Sequence, residues 1–495
     1  MEPRPIRNIC LIQPTQPFPN MMSKVVMPRY GLPVIATILK QQGYNVTLFI
    51  EDICPINWEI VRQADAVGFN TLSCSLGNFA QLAAKVRIIH DVPIIVGGTH
   101  ATYFPESVLR HADIIVRQEG DETILDLLNA LKAGRDLETV AGISFKREGH
   151  TIQTADRPPV KEFNTVVDLS VIYGWEKAYK MGKRYRLMTI QTTRGCPFRC
   201  KFCPVSTMFS PGYRRRGIDS VIAELKDKTQ YSKYVMFVDN NFAADPKRTV
   251  ELLERIIEEK IKANMTVFCR SDIRKYPEIL RLMKRAGITT IFMGVESLNA
   301  ETLQTVNKCQ TIGETQEAIK VIERHGIRVL TSLLMGVDTD TKQSLQETRR
   351  MLKKWRIAQM CVFAYFGAYP EKQSGESGIP PYRWIFKDWG YINGNFVSHF
   401  PKNMKPSTLQ REIAATYEAV LSPWNSVKDL LTGRFANALW RYIFYRAWKN
   451  TWPDIKDYLP YLEEIEKGCY DESECLIDEK AKQRADIPWI MNQMS

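Results

Sequence analysis

The chain has 495 residues, 44% of them hydrophobic and 25% charged, with a net charge of +12 and eleven cysteines. That length has room for two or three domains with cores of their own, and no run of about 18 uninterrupted apolar residues occurs, so no membrane-spanning helix is expected. The start, Met-Glu-Pro-Arg-Pro-Ile-Arg, has no signal-peptide pattern, so the thiols are expected in a reducing, cytoplasmic setting as metal ligands or core residues, not as a disulfide framework.

Apolar runs at Asn8–Gln13, Asn45–Ile50, Ala66–Asn70, Pro93–Val96 and Asp113–Arg117 alternate with helical patterns at Pro33–Gln42, Leu76–His90 and Glu122–Ala133. This alternation predicts an α/β unit over residues 1–140, a Rossmann-like doubly wound parallel sheet. Ligands of such sheets sit at the carboxyl ends of the strands. There the chain places Pro14-Thr15-Gln16-Pro17, Thr71-Leu72-Ser73-Cys74-Ser75 and Gly97-Gly98-Thr99-His100. The glycine pair lets a flat ring approach the backbone. The pattern by itself fits a ligand site and a set of ordinary turns equally well. Residues 141–185, with the turn Asp156-Arg157-Pro158-Pro159, read as a small hairpin and a linker.

Six further β-type runs follow within residues 186–375: Leu187–Thr193, Tyr234–Asp239, Met265–Arg270, Thr289–Glu296, Arg328–Met335 and Met360–Phe366. Helical patterns separate them, at Ile218–Lys226, Thr249–Lys260, Pro277–Ala286, Ile312–His325 and Lys342–Trp355. Six βα units predict a partial (β/α)6 barrel, open on one side. Directly after its first strand comes Thr-Thr-Arg-Gly-Cys-Pro-Phe-Arg-Cys-Lys-Phe-Cys, with Cys196, Cys200 and Cys203. Three thiolates on one tight loop can hold three corners of a 4Fe–4S cube, which leaves the fourth iron open. A zinc site would want paired cysteines and a fourth ligand, and no further Cys or His is close in sequence. The loop also lies at the carboxyl-terminal face, where barrel active sites form.

This C-x3-C-x2-C run resembles the signature of the radical S-adenosylmethionine (radical SAM) superfamily. The resemblance implies that SAM chelates the open iron and that reduction, by a donor such as ferredoxin or flavodoxin, cleaves it to a 5′-deoxyadenosyl radical. A Rossmann-like sheet ahead of such a barrel resembles the cobalamin-binding subgroup, as do Gly97-Gly98-Thr99-His100 and Glu119-Gly120-Asp121-Glu122. The resemblance therefore implies cobalamin contacts at Thr71, Ser73, Gly97, Gly98, Thr99, His100, Glu119 and Gly120. No Asp-x-His-x-x-Gly occurs among the six histidines, so a cobalt without a histidine ligand is expected. His100 fits either a cobalamin contact or a loop histidine bonded to backbone.

The same resemblance places Phe202 beside the adenine of SAM. Asp239, Asn240 and Asn241 would face its ammonium, Arg270 its carboxylate, and Glu296 with Ser297 its ribose. Met293-Gly294-Val295-Glu296-Ser297 is similar to the superfamily's fourth-strand motif, and Leu334-Met335-Gly336-Val337 to its adenine-flanking strand. Arg214-Arg215-Arg216 is either a solvated basic patch or a contact for an anionic cofactor edge. The family's turn after the last barrel strand occurs here only as Ala368-Tyr369-Pro370-Glu371.

Residues 376–495 are rich in Trp, Tyr and Pro and read as a mainly helical region. Within it, Arg434–Trp452 mixes aromatic and basic residues at helical spacing, suited to core packing, a lipid-like substrate channel or peripheral membrane contact. Cys469 and Cys475 are a weak pair for a second metal, whereas Cys10, Cys269, Cys309 and Cys361 read as small core residues. The expected function is an enzyme with a 4Fe–4S cluster, SAM and cobalamin that modifies an unactivated carbon of a small, hydrophobic or lipid-like molecule, with methyl transfer favoured. Radical cyclisation or C–C coupling on a tetrapyrrole or lipid is the alternative within chemistry, and a non-catalytic cobalamin or metal sensor is the alternative outside it. No dedicated basic module calls for a nucleic acid.

Overall fold

The computed structural model describes residues 5–18, 20, 27–180, 187–209, 212–366, 380 and 383–485. Strands β1 (Asn8–Gln13), β2 (Asn45–Ile50), β3 (Ala66–Asn70), β4 (Ile94–Gly97) and β5 (Ile114–Val116) run parallel in one sheet. Side chains alternate across it: Leu11 packs on one face with Leu39 and Leu128, and Cys10 and Ile12 on the other with Phe79 and Val86. Helices α1 (Gly31–Gln41) and α3 (Thr123–Ala133) thus cover the first face and α2 (Leu76–Ile89) the second.

The hairpin expected in the linker belongs to this sheet. Strands β6 (Ile143–Arg147) and β7 (His150–Gln153) add antiparallel to β5, giving the order β2-β1-β3-β4-β5-β6-β7. The cause is Arg117, whose buried guanidinium donates to the carbonyls of Ile143 and Thr154, each at 2.6 Å, and pairs with Asp156 at 2.8 Å. Those partners fix the hairpin against the end of β5.

The second layer follows the chain order. Strands β8 (Met188–Ile190), β11 (Tyr234–Phe237), β12 (Asn264–Cys269), β13 (Ile288–Glu296), β14 (Arg328–Met335) and β15 (Met360–Ala364) form six parallel neighbours, and the short β9 (Thr193–Arg194) and β10 (Arg214–Arg215) pair antiparallel beside them. The connecting helices are α4 (Ile218–Lys228), α5 (Pro246–Glu258), α6 (Pro277–Ala286), α7 (Ile312–Arg324) and α8 (Lys342–Lys354). Local chemistry sets their ends: Asp245 accepts from Arg248 N ahead of Pro246, and α6 stops at Gly287 with φ +99°. The Ala368–Glu371 turn lies outside the described residues.

The C-terminal region begins without a long helix. Trp384, Phe386 and Trp389 wedge against Phe104 and His100 of the first domain, with the Trp389 ring 4.6 Å from that of His100 and 4.8 Å from that of Phe104. Helices α9 (Pro406–Leu421), α10 (Pro423–Leu431) and α11 (Phe435–Ile465) follow. They rest on the barrel through Tyr417, whose hydroxyl accepts from Val362 N at 2.6 Å and donates to Val362 O at 3.1 Å.

Candidate active site

The cysteine loop leaves β9 through Gly195, at φ +86°, where a Cβ would run into the Gly212 carbonyl. Only glycine allows this turn. Upstream, Asp239 is buried at the end of β11 and accepts from Thr192 N at 2.6 Å, Thr192 Oγ1 at 2.9 Å and Thr193 N at 2.7 Å. Its carboxylate is thus committed to holding the strand that launches the loop. Cys200 is buried, and Cys196 and Cys203 are half-buried. Burial pushes the Cys203 thiol up to about 11 and that of Cys196 upward, while Arg270 and Lys308 pull Cys196 back down. Cations of this kind favour the thiolate that iron requires. Among the described residues no three His, Cys, Asp or Glu side chains converge on a single ion.

Arg270 ends β12. Its Nη1 lies 3.8 Å from Cys200 Sγ, its Nη2 donates to Lys308 O at 2.7 Å, and its guanidinium carbon stands 3.8 Å from the Phe198 ring centroid. Its Nε is buried without a hydrogen-bond partner. The Asp272 carboxylate stands 3.8 Å from this nitrogen, beyond hydrogen-bond reach, so the donor suits an anionic ligand beside the loop. Glu296 closes β13 after a register shift, at φ +64°, a left-handed conformation that is costly for a residue with a Cβ. The carboxylate accepts from Lys308 Nζ at 2.8 Å. A Cβ at Gly294 would sit 2.8 Å from that same Nζ, so glycine leaves room for the pair.

Across the domain boundary, a cavity of about 350 Å³ opens at the carboxyl ends of β1, β3, β4 and β5. The β1/β3 position is where the strand order reverses, the usual ligand crevice of such sheets. Gly97, Gly98, Thr99, Glu119 and Gly120 line it together with Arg29, and Gln191 and Arg194 close it from the barrel side. Its floor is apolar, from Ile9, Leu11, Leu39, Ile95 and Val116. At Gly68 a Cβ would sit 2.5 Å from Leu11 Cδ2. Gly98 has φ +106°, and a Cβ there would lie 2.6 Å from Thr71 O. These glycines are a cradle that larger residues would fill.

The two sites touch. Tyr103, at the end of the Thr99–Tyr103 turn that lines the cavity, donates from its hydroxyl to Pro204 O at 3.1 Å, one residue past Cys203. Arg194, two residues before Cys196, pairs with Asp121 and Glu119. Residues 190–352 match the Radical SAM superfamily and residues 22–128 match the B12 binding domain. The chain carries a radical SAM domain and a B12 binding domain.

Its relatives include the "Uncharacterized methyltransferase PH0819" of Pyrococcus horikoshii, 26% identical over 77% of this chain and 85% of that protein. An anaerobic magnesium-protoporphyrin IX monomethyl ester cyclase of Rubrivivax gelatinosus is 27% identical over 68% of this chain and 63% of its own length. A hopanoid C-2 methylase of Rhodopseudomonas palustris is 25% identical over 68% of this chain and 61% of its own. The chain thus spans about three-fifths of the last two. The solved structure of OxsB, a cobalamin-dependent SAM radical enzyme with aqua-cobalamin bound, superposes with a TM-score of 0.66 at 15% identity, over 99% of this chain and 80% of that one, and so shares the fold.

The cysteines, Arg270, Glu296 and Ser297 emerge at one face of the barrel, with half-buried Phe202 next to the third cysteine and Ser297 Oγ accepting from Asn299 N at 3.0 Å. Asn240 is exposed and Asn241 buried. Asp239 departs from the expectation of a SAM contact, because both its oxygens serve Thr192 and Thr193. His100 lies in the Thr99–Tyr103 helical turn, with its ring bonded to side chains and not to backbone. Its Nδ1 lies 3.0 Å from Ser73 Oγ and its Nε2 3.0 Å from Ser107 Oγ. Burial lowers its pKa to about 3. Ser107 donates to Phe104 O at 2.7 Å and so accepts from Nε2–H, which leaves His100 neutral, with both nitrogens engaged. Thr71, Ser73 and His100 therefore brace the cavity from behind. Glu119 faces Arg194 and Arg214 as well as the cavity.

Each of the three consecutive arginines has an acidic partner, and Arg215 is the one that stays exposed to solvent. Arg214 pairs with Glu119, Arg215 with Asp245, and Arg216 with the buried Glu224. Arg29, Tyr103, Asp121, Arg194 and Lys308 carry site geometry that the sequence reading passed over. Two of them stood inside quoted motifs, Asp121 in Glu-Gly-Asp-Glu and Arg194 just before Gly-Cys. Cys469 is buried with its Sγ toward Ile465 O, and Cys475 is exposed.

Proposed function

We propose that the protein transfers a methyl group from cobalamin to an unactivated carbon of a hydrophobic, lipid-like molecule. The observation that carries this reading is the Tyr103–Pro204 contact, which sets the glycine cradle directly against the cysteine loop. No protein base ionises an unactivated C–H bond, so its hydrogen must leave as an atom, and the site that removes it must adjoin the site that supplies the replacement. Bound cobalamin supplies a transferable methyl group, and SAM on the cluster supplies the hydrogen-abstracting radical.

In this reading Cys196, Cys200 and Cys203 hold the cluster, and Arg270 pairs with the SAM carboxylate. Glu296, paired with Lys308, receives the ribose hydroxyls, and Phe202 flanks the adenine. Gly97, Gly98, Thr99 and Gly120 admit the corrinoid, with no histidine offered to cobalt. A reduced ferredoxin or flavodoxin supplies the electron. The hopanoid C-2 methylase relative supports a lipid-like substrate.

The test is anaerobic turnover of the reconstituted protein with SAM, methylcobalamin, reductant and a panel of polycyclic lipids and tetrapyrroles, followed by mass spectrometry. The expected product is heavier than its substrate by one methylene. Formation of 5′-deoxyadenosine with loss of hydrogen from a substrate and no added methyl would replace this reading by cyclisation or coupling, which the cyclase relative favours.

A further inference from the structure

We infer that the α10–α11 hairpin is an anchor for an anionic membrane surface, separate from the cofactor face. Eight of the twelve exposed large hydrophobic side chains among the described residues lie on it, with Trp424, Leu431, Phe435 and Leu439 exposed at 64, 80, 68 and 59%. So dense an apolar patch marks a docking surface. Its charge selects the partner. Between Pro423 and Asn450 the only carboxylate is Asp429, buried at 1% and held by Arg441, whereas Lys428 and Arg446 are exposed. An apolar face rimmed by cations, with no exposed acid of its own between Pro423 and Asn450, fits the interface of a bilayer with acidic headgroups. A second copy would bring cation against cation.

The hairpin is also stiff and well placed for this role. Arg441 donates to Ile357 O and to Val420 O, at 2.5 and 2.6 Å, and pairs with Asp429 at 2.7 Å, which clamps α11 to α10 and to the barrel. Arg434 reaches Glu323 at 3.4 Å, and the Arg328 guanidinium lies 5.2 Å from the Trp440 ring. Ile357 precedes β15 and Arg328 begins β14, so the hairpin sits at the amino-terminal ends of the strands, opposite the cysteine loop. It is therefore a tether and not a substrate channel. Trp448 stacks on Tyr417 at 4.5 Å and Arg441 is buried, so neither faces outward. Among the described residues no helix is long and apolar enough to cross a membrane, which leaves the hairpin lying in the interface.

The test is flotation of the full-length reconstituted protein with vesicles of phosphatidylcholine mixed with phosphatidylglycerol, against pure phosphatidylcholine. The protein is expected to float with the mixed vesicles, and less so at about 1 M salt. The triple variant Leu431→Glu, Phe435→Glu, Leu439→Glu should stay in the aqueous fraction while keeping its iron and its 5′-deoxyadenosine formation. Lys428→Glu with Arg446→Glu, which alters only exposed side chains, should weaken binding at least about tenfold. The inference is overturned if the unaltered protein stays behind at low salt. It is equally overturned if the protein is a dimer in solution that the triple variant converts to a monomer, since the patch would then be an interface between copies.

Discussion

Arg194 and Asp121 meet as a two-pronged ion pair, Nη1 to Oδ2 and Nη2 to Oδ1, both at 2.9 Å. Arg194 begins the cysteine loop, and Asp121 lies in the wall of the glycine-lined cavity, so one buried contact sets the loop and the cavity relative to each other. The arrangement has an electrostatic cost. Arg194 stands opposite Arg214 in the β9–β10 register, and like charges facing each other across strands repel. Glu119 resolves this by pairing with both, at 3.0 and 2.8 Å.

The two acids should therefore be unequal. Asp121→Asn leaves Arg194 with Glu119, and a loss of about 2 kcal/mol is expected, the scale of one charged hydrogen bond. Glu119→Gln leaves Arg194 with Asp121 but takes from the half-buried Arg214 its carboxylate partner, at about 3 to 5 kcal/mol. Chemical denaturation of the two variants measures the difference. Equal losses would show that Glu119 does not mediate between the arginines.

Arg270 touches the cluster loop and carries a buried Nε without a hydrogen-bond partner. Arg270→Lys keeps the charge but removes the planar fork that receives a carboxylate. The expected result is full iron loading with KM for SAM raised about tenfold or more, the scale of a charged hydrogen bond. Loss of iron in this variant would make Arg270 a support of the loop and not a ligand of SAM. Replacement of Cys196, Cys200 and Cys203 together by Ala should abolish both iron binding and 5′-deoxyadenosine formation.

Much of the fold is legible in the sequence because its signals are local. Buried parallel strands are continuous apolar runs, and β1, β2, β3 and β14 begin and end where those runs do. Cysteine spacing works in the same way, since all three ligands share one loop. Arg194 and Asp121 are 73 residues apart, and nothing in the intervening pattern couples them. The same holds for Arg117 and its hairpin, where a buried guanidinium turns an apparent linker into a sheet edge. The Trp384–Trp389 wedge has no period at all, because its rings are placed by two other domains. His100 is the instructive case. A loop histidine among glycines looks the same in sequence whether it points into the cavity or is held behind it by Ser73 and Ser107.

Gly98 offers a direct test of the cradle. Its φ of +106° and the Thr71 carbonyl 2.6 Å from any Cβ make Gly98→Ala strained and crowded at once. Hydroxocobalamin binding, followed by equilibrium dialysis, should weaken markedly, while iron content and cluster absorption stay unchanged. Undiminished binding would place the corrinoid away from the Gly97-Gly98 turn.

The acid limb of stability should report the buried histidines. His100 and His399 are each lowered to about 3 by burial, so the folded state holds them neutral while the unfolded chain takes up protons near the ordinary histidine value. Their stabilisation is thus fully present above about pH 6.5. It is lost as pH falls from there toward about 3, at about 1.4 kcal/mol per pH unit for each histidine, because only the unfolded state binds the proton. His100→Gln keeps a donor and an acceptor for Ser73 and Ser107 but cannot titrate. Unfolding free energies by urea between about pH 7 and pH 5 should therefore fall less steeply for this variant than for the unaltered protein, by about one proton's slope. Parallel pH dependences would mean that His100 already exchanges its proton in the folded state, and the loop behind the cobalamin cleft would then be open to water.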